Sequence, residues 1–320
     1  MAAVVDGFPL LYRELYRELA RCCGLCRDCL ALLGGLYVTG KILQLLRRCC
    51  SVFTVHFLPR ALQNRQLARR YGDWALVHGA SQPVAKAYAE ELARRGVSIL
   101  FVTQDHTALR DFAASLAQSY AVETVVVLAD FSLDQTASKP VREALRWKDV
   151  GFLVNCVDES SAQELTETTE QGLLDSVNEN VAVATLLTRL VLPGMLERSR
   201  GAVVNISAGR CCRAKPGRVM LTAASGYLDH FSRALHLEYG SRGIFVQSLT
   251  PLQISSNRRQ WSADSWFVPS PEVYAHHAVS TLGVSTRTTG YWPHTLQAGL
   301  ITFVPDWIWI LGSRMFFRSS

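Results

Sequence analysis

The chain lacks a clean membrane-spanning run. Its most apolar amino-terminal stretch, CLALLGGLYVTGKILQLL (residues 29–46), is interrupted by Lys41 and weakened as a helix by Gly34 and Gly35. A helical span needs about 20 consecutive apolar residues. Two readings follow: a helix packed on the body, or an interfacial or hairpin anchor flanked by Arg27, Arg47 and Arg48. An even cysteine set is missing as well. The count is nine, without a cleavable leader pattern, which points to a reducing compartment rather than a disulfide framework. Six of the nine (Cys22, Cys23, Cys26, Cys29, Cys49 and Cys50) lie in the first 50 residues. The run CCGLCRDC has no second ligand pair at finger-like spacing, so it reads as a helical stripe, buried or lipidated, and not as a metal site. His276 and His277 are adjacent on a predicted helix, face different directions, and form no metal pair.

An excess of basic charge is missing beyond the extension. The formal charge is +6, yet residues 1–70 hold 11 Lys/Arg against 4 Asp/Glu, leaving the remainder close to neutral. With no basic stripe in the folded part, nucleic acid is excluded as a partner, and the extension points to an anionic membrane surface or an organelle import route. Arg13, Arg17 and Arg21 share a helical face, although Glu14 and Glu18 set the segment apart from acid-free transit peptides.

What is present from Trp74 onward is alternation. WALVHG, VSILFVT, ETVVVLAD, VGFLVNC, GAVVNIS and IFVQSLTP read as strands whose continuous apolar character suits burial on both faces. Helical segments lie between them, including VAKAYAEELARRG, TALRDFAASLAQSY, KPVREALRW, NENVAVATLLTRLVLPGMLE and SGYLDHFSRALHLEYG. In the last, Leu228, Phe231, Leu235 and Leu237 are the expected packing residues. This order predicts an α/β fold, a doubly wound parallel sheet with ligand chemistry beyond the carboxyl ends of its strands. The expected organisation is an amino-terminal targeting or membrane-association extension (1–70), a Rossmann domain (71–290) and an apolar aromatic carboxyl-terminal segment (291–320). That last segment places Trp307, Trp309, Phe316 and Phe317 near Arg314 and Arg318. It reads as a helix covering the sheet edge or a dimer seam, or as a headgroup-depth contact.

KAYAEELARRG, LVLPGM, GYLDHFSRALHLEY, GIFVQSL and VPSPEVYAHHAVSTLG are long runs through which residues 74–283 resemble the short-chain dehydrogenase/reductase family, in its 17-beta-hydroxysteroid dehydrogenase-like branch. The resemblance implies a cofactor turn of the form TGxxxGxG, and here it is HGASQPVA. Gly79 and Ser81 survive, His78 replaces Thr, and Pro83 and Ala85 replace two glycines. Those glycines let backbone approach a pyrophosphate. Pro83 has no amide hydrogen to offer, yet it is well tolerated in a helix's first turn. His78 reads as a surface imidazole or a phosphate partner. At the end of the second strand, VTQD, Gln104 is neither the Arg nor the acid that selects a ribose, and Asp105 is one place late. Asp130 matches the adenine-contacting Asp and is also an ordinary turn former. Asn155 opens NCVD where the family has NNAG, with a role bonding backbone across strands, and Asp158 adds bulk and charge where nicotinamide would lie.

The implied catalytic set is Asn, Ser, Tyr and Lys. Here those positions hold Asn180, Ala208, Leu221 and Ser225. The family Tyr donates the proton, assisted by the neighbouring ammonium. Leu221 has none to give, and Asn180 can be retained for backbone reasons alone. On a helical wheel Tyr227 lies about 240° and His230 about 180° from Leu221, so neither replaces it. Thr222 and Ser207 lack a base and read as packing or capping residues.

The expectation is a catalytically inactive member acting by binding at a membrane, with no tightly bound cofactor and NADP(H) as the cofactor if one binds. The rival is an NADPH-dependent reductase of steroid or fatty acyl ketones with an unconventional acid. A third reading is a cofactor sensor. The resemblance implies a mitochondrial location, or alternatively the endoplasmic reticulum membrane. Expected partners are a membrane surface, a homodimer or protein partner, and a lipid or steroid ligand.

Overall fold

The computed structural model describes residues 7–58, 67–105, 107–129, 138–158, 165–207, 218–255, 266–305 and 308–309. The chain divides into two compact units, residues 1–54 and 55–320. The first is the greater part of one helix, α1 (Gly7–His56). The helix runs through Gly34, Gly35 and Lys41, so of the two readings of residues 29–46 the hairpin form of the anchor is not formed. Each glycine costs about 1 kcal/mol relative to alanine, a penalty that a 50-residue helix absorbs. Its apolar side chains are exposed, among them Leu30, Leu33 and Leu36. Cys29, Cys49 and Cys50 are exposed too; the side chains of Cys23 and Cys26, which would share a stripe with Cys29, lie outside the described residues. Residues Arg27–His56 are long and apolar enough to cross a membrane by length and composition.

The second unit carries a seven-stranded parallel sheet in the order β3-β2-β1-β4-β5-β6-β7. The strands are β1 (Trp74–His78), β2 (Ser98–Thr103), β3 (Thr124–Leu128), β4 (Val150–Cys156), β5 (Gly201–Ile206), β6 (Ile244–Leu249) and β7 (Arg287–Thr288). The helices are α2 (Leu67–Tyr71), α3 (Pro83–Arg94), α4 (Thr107–Tyr120), α5 (Lys139–Leu145), α6 (Glu170–Val177), α7 (Ala184–Glu197), α8 (Val219–Tyr239), α9 (Pro271–Ser280) and α10 (Trp292–Phe303). A π-helical turn, Asn178–Val183, joins α6 to α7.

Alternation along the strands builds two cores. Ala75, Val77, Ile99, Phe101, Phe152 and Val154 face one layer with Tyr88 and Leu92 of α3 and Tyr274 and Ala278 of α9. Trp74, Leu76, Leu100, Val102, Leu153 and Val203 face the other with Leu187 and Val191 of α7 and Leu235 of α8. A period of two on strands covered from both sides demands apolar residues on both faces, which is why these strands read as continuous apolar runs.

Helix α8 is tied to the sheet by polar contacts. Asn155 Nδ2 donates to Asn205 Oδ1 (2.8 Å) and Asn205 Nδ2 to Ser232 Oγ (2.7 Å), so Asn155 works side chain to side chain rather than on backbone as expected. Asp229, also buried, accepts from Ser248 Oγ on β6 (2.8 Å) and Arg287 Nε on β7 (3.0 Å). Leu237, expected in the core, is 85% exposed. It lies nine residues beyond Leu228, about 180° round the helix.

Because Asp229 is a buried acceptor shared by three elements, Asp229→Ala is expected to lower urea-unfolding stability by about 2–3 kcal/mol. Arg287→Ala, at the exposed end of the same pair, is expected to cost less than about 1 kcal/mol. Equal losses from the two substitutions would contradict this account.

Candidate functional site

The order of the sheet reverses between β1 and β4, so the ligand crevice of this architecture opens at their carboxyl ends. There the chain folds a tight turn. Gly79 has φ +78°, and a Cβ on it would come within 2.3 Å of the Cys156 carbonyl oxygen. Its survival is therefore explained by the approach of β4 backbone, whatever binds nearby. The Gln82 amide donates to the Gly79 carbonyl (3.0 Å), and α3 starts at Pro83 with Gln82 as its cap residue. Ser81 and Pro83 are exposed, whereas Ala85 is fully buried in the core. The third glycine position of the turn thus carries a methyl group packed between helix and sheet.

Across the crevice, Gln82 Nε2 donates to Asp158 Oδ1. This hydrogen bond joins the turn after β1 to the residue just beyond β4 and Val157, spanning the switch point. Sequence reasoning found Asp158 but missed its partner. His78, expected at the surface, is 6% exposed. It lies between Val102 of β2 and Asn155 of β4 in the sheet, and burial lowers its pKa to about 4 against a smaller upward pull from Asp158. It is neutral at pH 7. Glu179 is raised, by burial first and then by the charges of Asp158 and Asp175. Asp158 and Glu179 thus bring carboxylates to this crevice, and carboxylates disfavour a further anion.

Asp105 is taken up locally: its Oδ1 accepts from the Thr107 amide (2.9 Å) and hydroxyl (2.7 Å), at the start of α4. Asp130 and Ala208 lie outside the described residues.

Leu221 and Ser225 of α8 and Asn180 of the π turn are the residues expected at the family's catalytic positions. Leu221 is 2% exposed and packs with Val157, Ala184 and Leu228. Ser225 is fully buried, and its Oγ has no hydrogen-bond partner. Asn180 Oδ1 accepts from the Asp158 amide (2.7 Å), the backbone role expected of it, while its Nδ2 has no partner.

The other hydroxyls are engaged in structure. Ser207 Oγ donates to Leu249 O (3.1 Å), and Thr222 Oγ1 to Arg218 O (2.8 Å). Tyr227 lies against the cluster that contains Leu221, closer than its wheel angle predicts. Its neighbour Leu228 extends that cluster along the helix. The phenol hydroxyl is paired with Thr185 Oγ1 (2.7 Å), and the ring stacks on Phe231. His230 is exposed beside Arg233, as its angle predicts.

A doubly wound parallel sheet with its crevice between β1 and β4 defines a Rossmann-type protein. Residues 73–265 match the family model described as short chain dehydrogenase, and the chain belongs to that family. It is 47% identical to inactive hydroxysteroid dehydrogenase-like protein 1 of Danio rerio, over 98% of this chain and 98% of that protein. With the protein of the same name from Homo sapiens it shares 45% identity, over 99% and 97% of the two chains. Very-long-chain 3-oxoacyl-CoA reductase of Mus musculus is 35% identical over 75% of this chain and 78% of that one. Among solved structures, a 7beta-hydroxysteroid dehydrogenase superposes with a TM-score of 0.63 at 24% identity, covering 69% of this chain and 88% of that one. That likeness concerns the fold alone.

Burial of His78 gives a pH signature. Its folded pKa, about 4, lies below the unfolded value of 6.5, so the unfolded chain binds the extra proton between them. Stability from this group is therefore full above pH 6.5 and lost as pH falls toward 4, by roughly 3 kcal/mol at most. His294, lowered to about 4 chiefly by burial, adds to the same window. In chemical unfolding between pH 7 and 4, His78→Phe is expected to flatten the decline. An unchanged slope would place His78 in solvent.

Proposed function

We propose that the chain is a pseudoenzyme, a folded short-chain dehydrogenase domain that acts by binding at a membrane rather than by hydride transfer. The observation that carries this reading is Leu221, a hydrocarbon side chain buried against Val157, Ala184 and Leu228. It stands where the family's proton donor would have to meet a carbonyl oxygen. Positioned acid catalysis contributes about 10²–10⁴ in rate, and groups that act as one unit fail together. With Ser225 in the lysine position, no ammonium is present there to assist another acid. The word "inactive" in the names of the fish and human relatives supports the same reading.

Members of this fold family hold a nicotinamide dinucleotide at the β1–β4 crevice. The residues here do not fit that group well. Pro83 offers no amide to a pyrophosphate, the Gln82–Asp158 hydrogen bond bridges the switch point, and the neighbouring carboxylates oppose a dianion. NADP(H) is the cofactor to test, and weak binding is the expectation.

The basic extension and the apolar helix Arg27–His56 support attachment to a membrane. A mitochondrial membrane is the first choice of location and the endoplasmic reticulum the second. The exposed faces of α7 and α8 offer a surface for self-association. The likeness to very-long-chain 3-oxoacyl-CoA reductase keeps one rival in view, a reductase of fatty acyl or steroid ketones.

Two proteins decide between them: the natural chain, and a variant carrying Pro83→Gly, Ala85→Gly, Asp158→Gly, Ala208→Ser, Leu221→Tyr and Ser225→Lys. NADPH oxidation is followed with a 3-oxoacyl thioester and a steroid ketone. The expected result is no turnover by the natural chain and measurable turnover by the variant. Comparable rates in both would refute the proposal.

A further inference from the structure

Helices α5 and α7 line a groove of about 710 Å³ that shares no lining residue with the β1–β4 crevice. Its volume falls in the range of about 300–1,000 Å³ usual for small-molecule sites. The lining is mainly hydrocarbon: Leu145 from α5, and Leu186, Leu190 and Pro193 from α7. Three guanidiniums also line it, Arg142 from α5, Arg146 just past its end and Arg189 from α7, against a single carboxylate, Glu143.

The spacing explains how charge and apolar surface come to share one groove. Leu145 lies three residues from Arg142, so the two share a face of α5, and Arg146, the extended residue that ends the helix, follows directly. Leu186, Arg189 and Leu190 share a face of α7. All three arginines are exposed, and none has an ion pair among the described residues.

A second feature adjoins the groove. Trp147, just past the end of α5, is 89% exposed and sits at φ +68°. A bulky side chain in the left-handed region costs about 1–2 kcal/mol. The guanidinium of Arg146 lies over its ring, 5.4 Å from the centroid, so one arginine touches both the groove and the indole. Exposed Trp with Arg is the composition of binding hot spots.

We propose that this groove binds a single-chain anionic amphiphile such as a long-chain fatty acid. The hydrocarbon lies along Leu145, Leu186, Leu190 and Pro193, and the carboxylate is met by Arg142, Arg146 and Arg189. Unpaired guanidiniums above an apolar floor complement an anionic head on an apolar tail, and hydrogen bonds between ions are about twice as strong as neutral ones. A cationic or uncharged amphiphile would satisfy the floor and leave the arginines without a counterion. The inference stands whether or not the crevice takes a cofactor.

The test uses the full chain in a nonionic detergent with two probes, dansylaminoundecanoic acid and its methyl ester. Energy transfer from tryptophan to the dansyl group reports binding. The acid is expected to bind about tenfold or more tightly than the ester, a difference of about 1.4 kcal/mol. The preference should shrink in 1 M salt, where the screening length is about 3 Å. Trp147→Phe is expected to remove part of the transfer. The triple variant Arg142→Gln, Arg146→Gln, Arg189→Gln should bind acid and ester alike, and circular dichroism checks that these exposed substitutions leave the fold intact. Equal affinity of the natural chain for both probes, or an acid preference retained in the triple variant, would overturn the proposal. So would finding the groove closed to both probes by a second copy of the chain, seen as a dimer in sedimentation.

Discussion

The hydrogen-bond chain from Asn155 through Asn205 to Ser232 holds the centre of the sheet to helix α8. Every partner in it is buried, where an unmade hydrogen bond costs about 1–3 kcal/mol. Ser232 closes the chain by donating to Leu228 O in its own helix (2.6 Å). This fixes α8 against β4 and β5, and so fixes where Leu221 and Ser225 stand. None of the three residues takes part in proton or hydride transfer. The groups that set the geometry of the site are thus separate from the groups that would do chemistry in it, and the second set can be lost while the first remains.

The same separation runs through the crevice. Gly79 is required by the Cys156 carbonyl, Ala85 is filled into the core, and Asn180 is occupied by the Asp158 amide. Each has a structural reason to be where it is that needs no ligand. Gln82 and Asp158 go further, because their hydrogen bond crosses the gap in which a dinucleotide would lie. Opening it would leave an amide and a carboxylate to find other partners, beside a His78 that burial keeps neutral.

The sheet was legible in the sequence because strands buried on both faces must be apolar throughout; β1, β4 and β5 are buried at every position. Strand β7 was not, since Arg287 and Thr288 are two polar residues placed by the register of β6 and carry no pattern of their own. The vacated catalytic positions were legible because a missing phenol or ammonium is a fact of composition. The contact of Gln82 with Asp158 was not: 76 residues separate them, and neither residue alone signals the other. His78 was misread because burial at the end of a strand depends on the neighbouring elements, which the local pattern does not contain. Leu237 was misread against the pattern, since its position puts it opposite Leu228 on α8.

The central claim is that this family member keeps its architecture without a working nicotinamide site. Its most direct test is the melting temperature of the natural chain with and without saturating NADPH. A ligand at 100 times its Kd adds about 2.7 kcal/mol, which moves the transition by several degrees. The account predicts that the two curves superimpose at tens of micromolar NADPH. A clear upward shift with NADPH would contradict it.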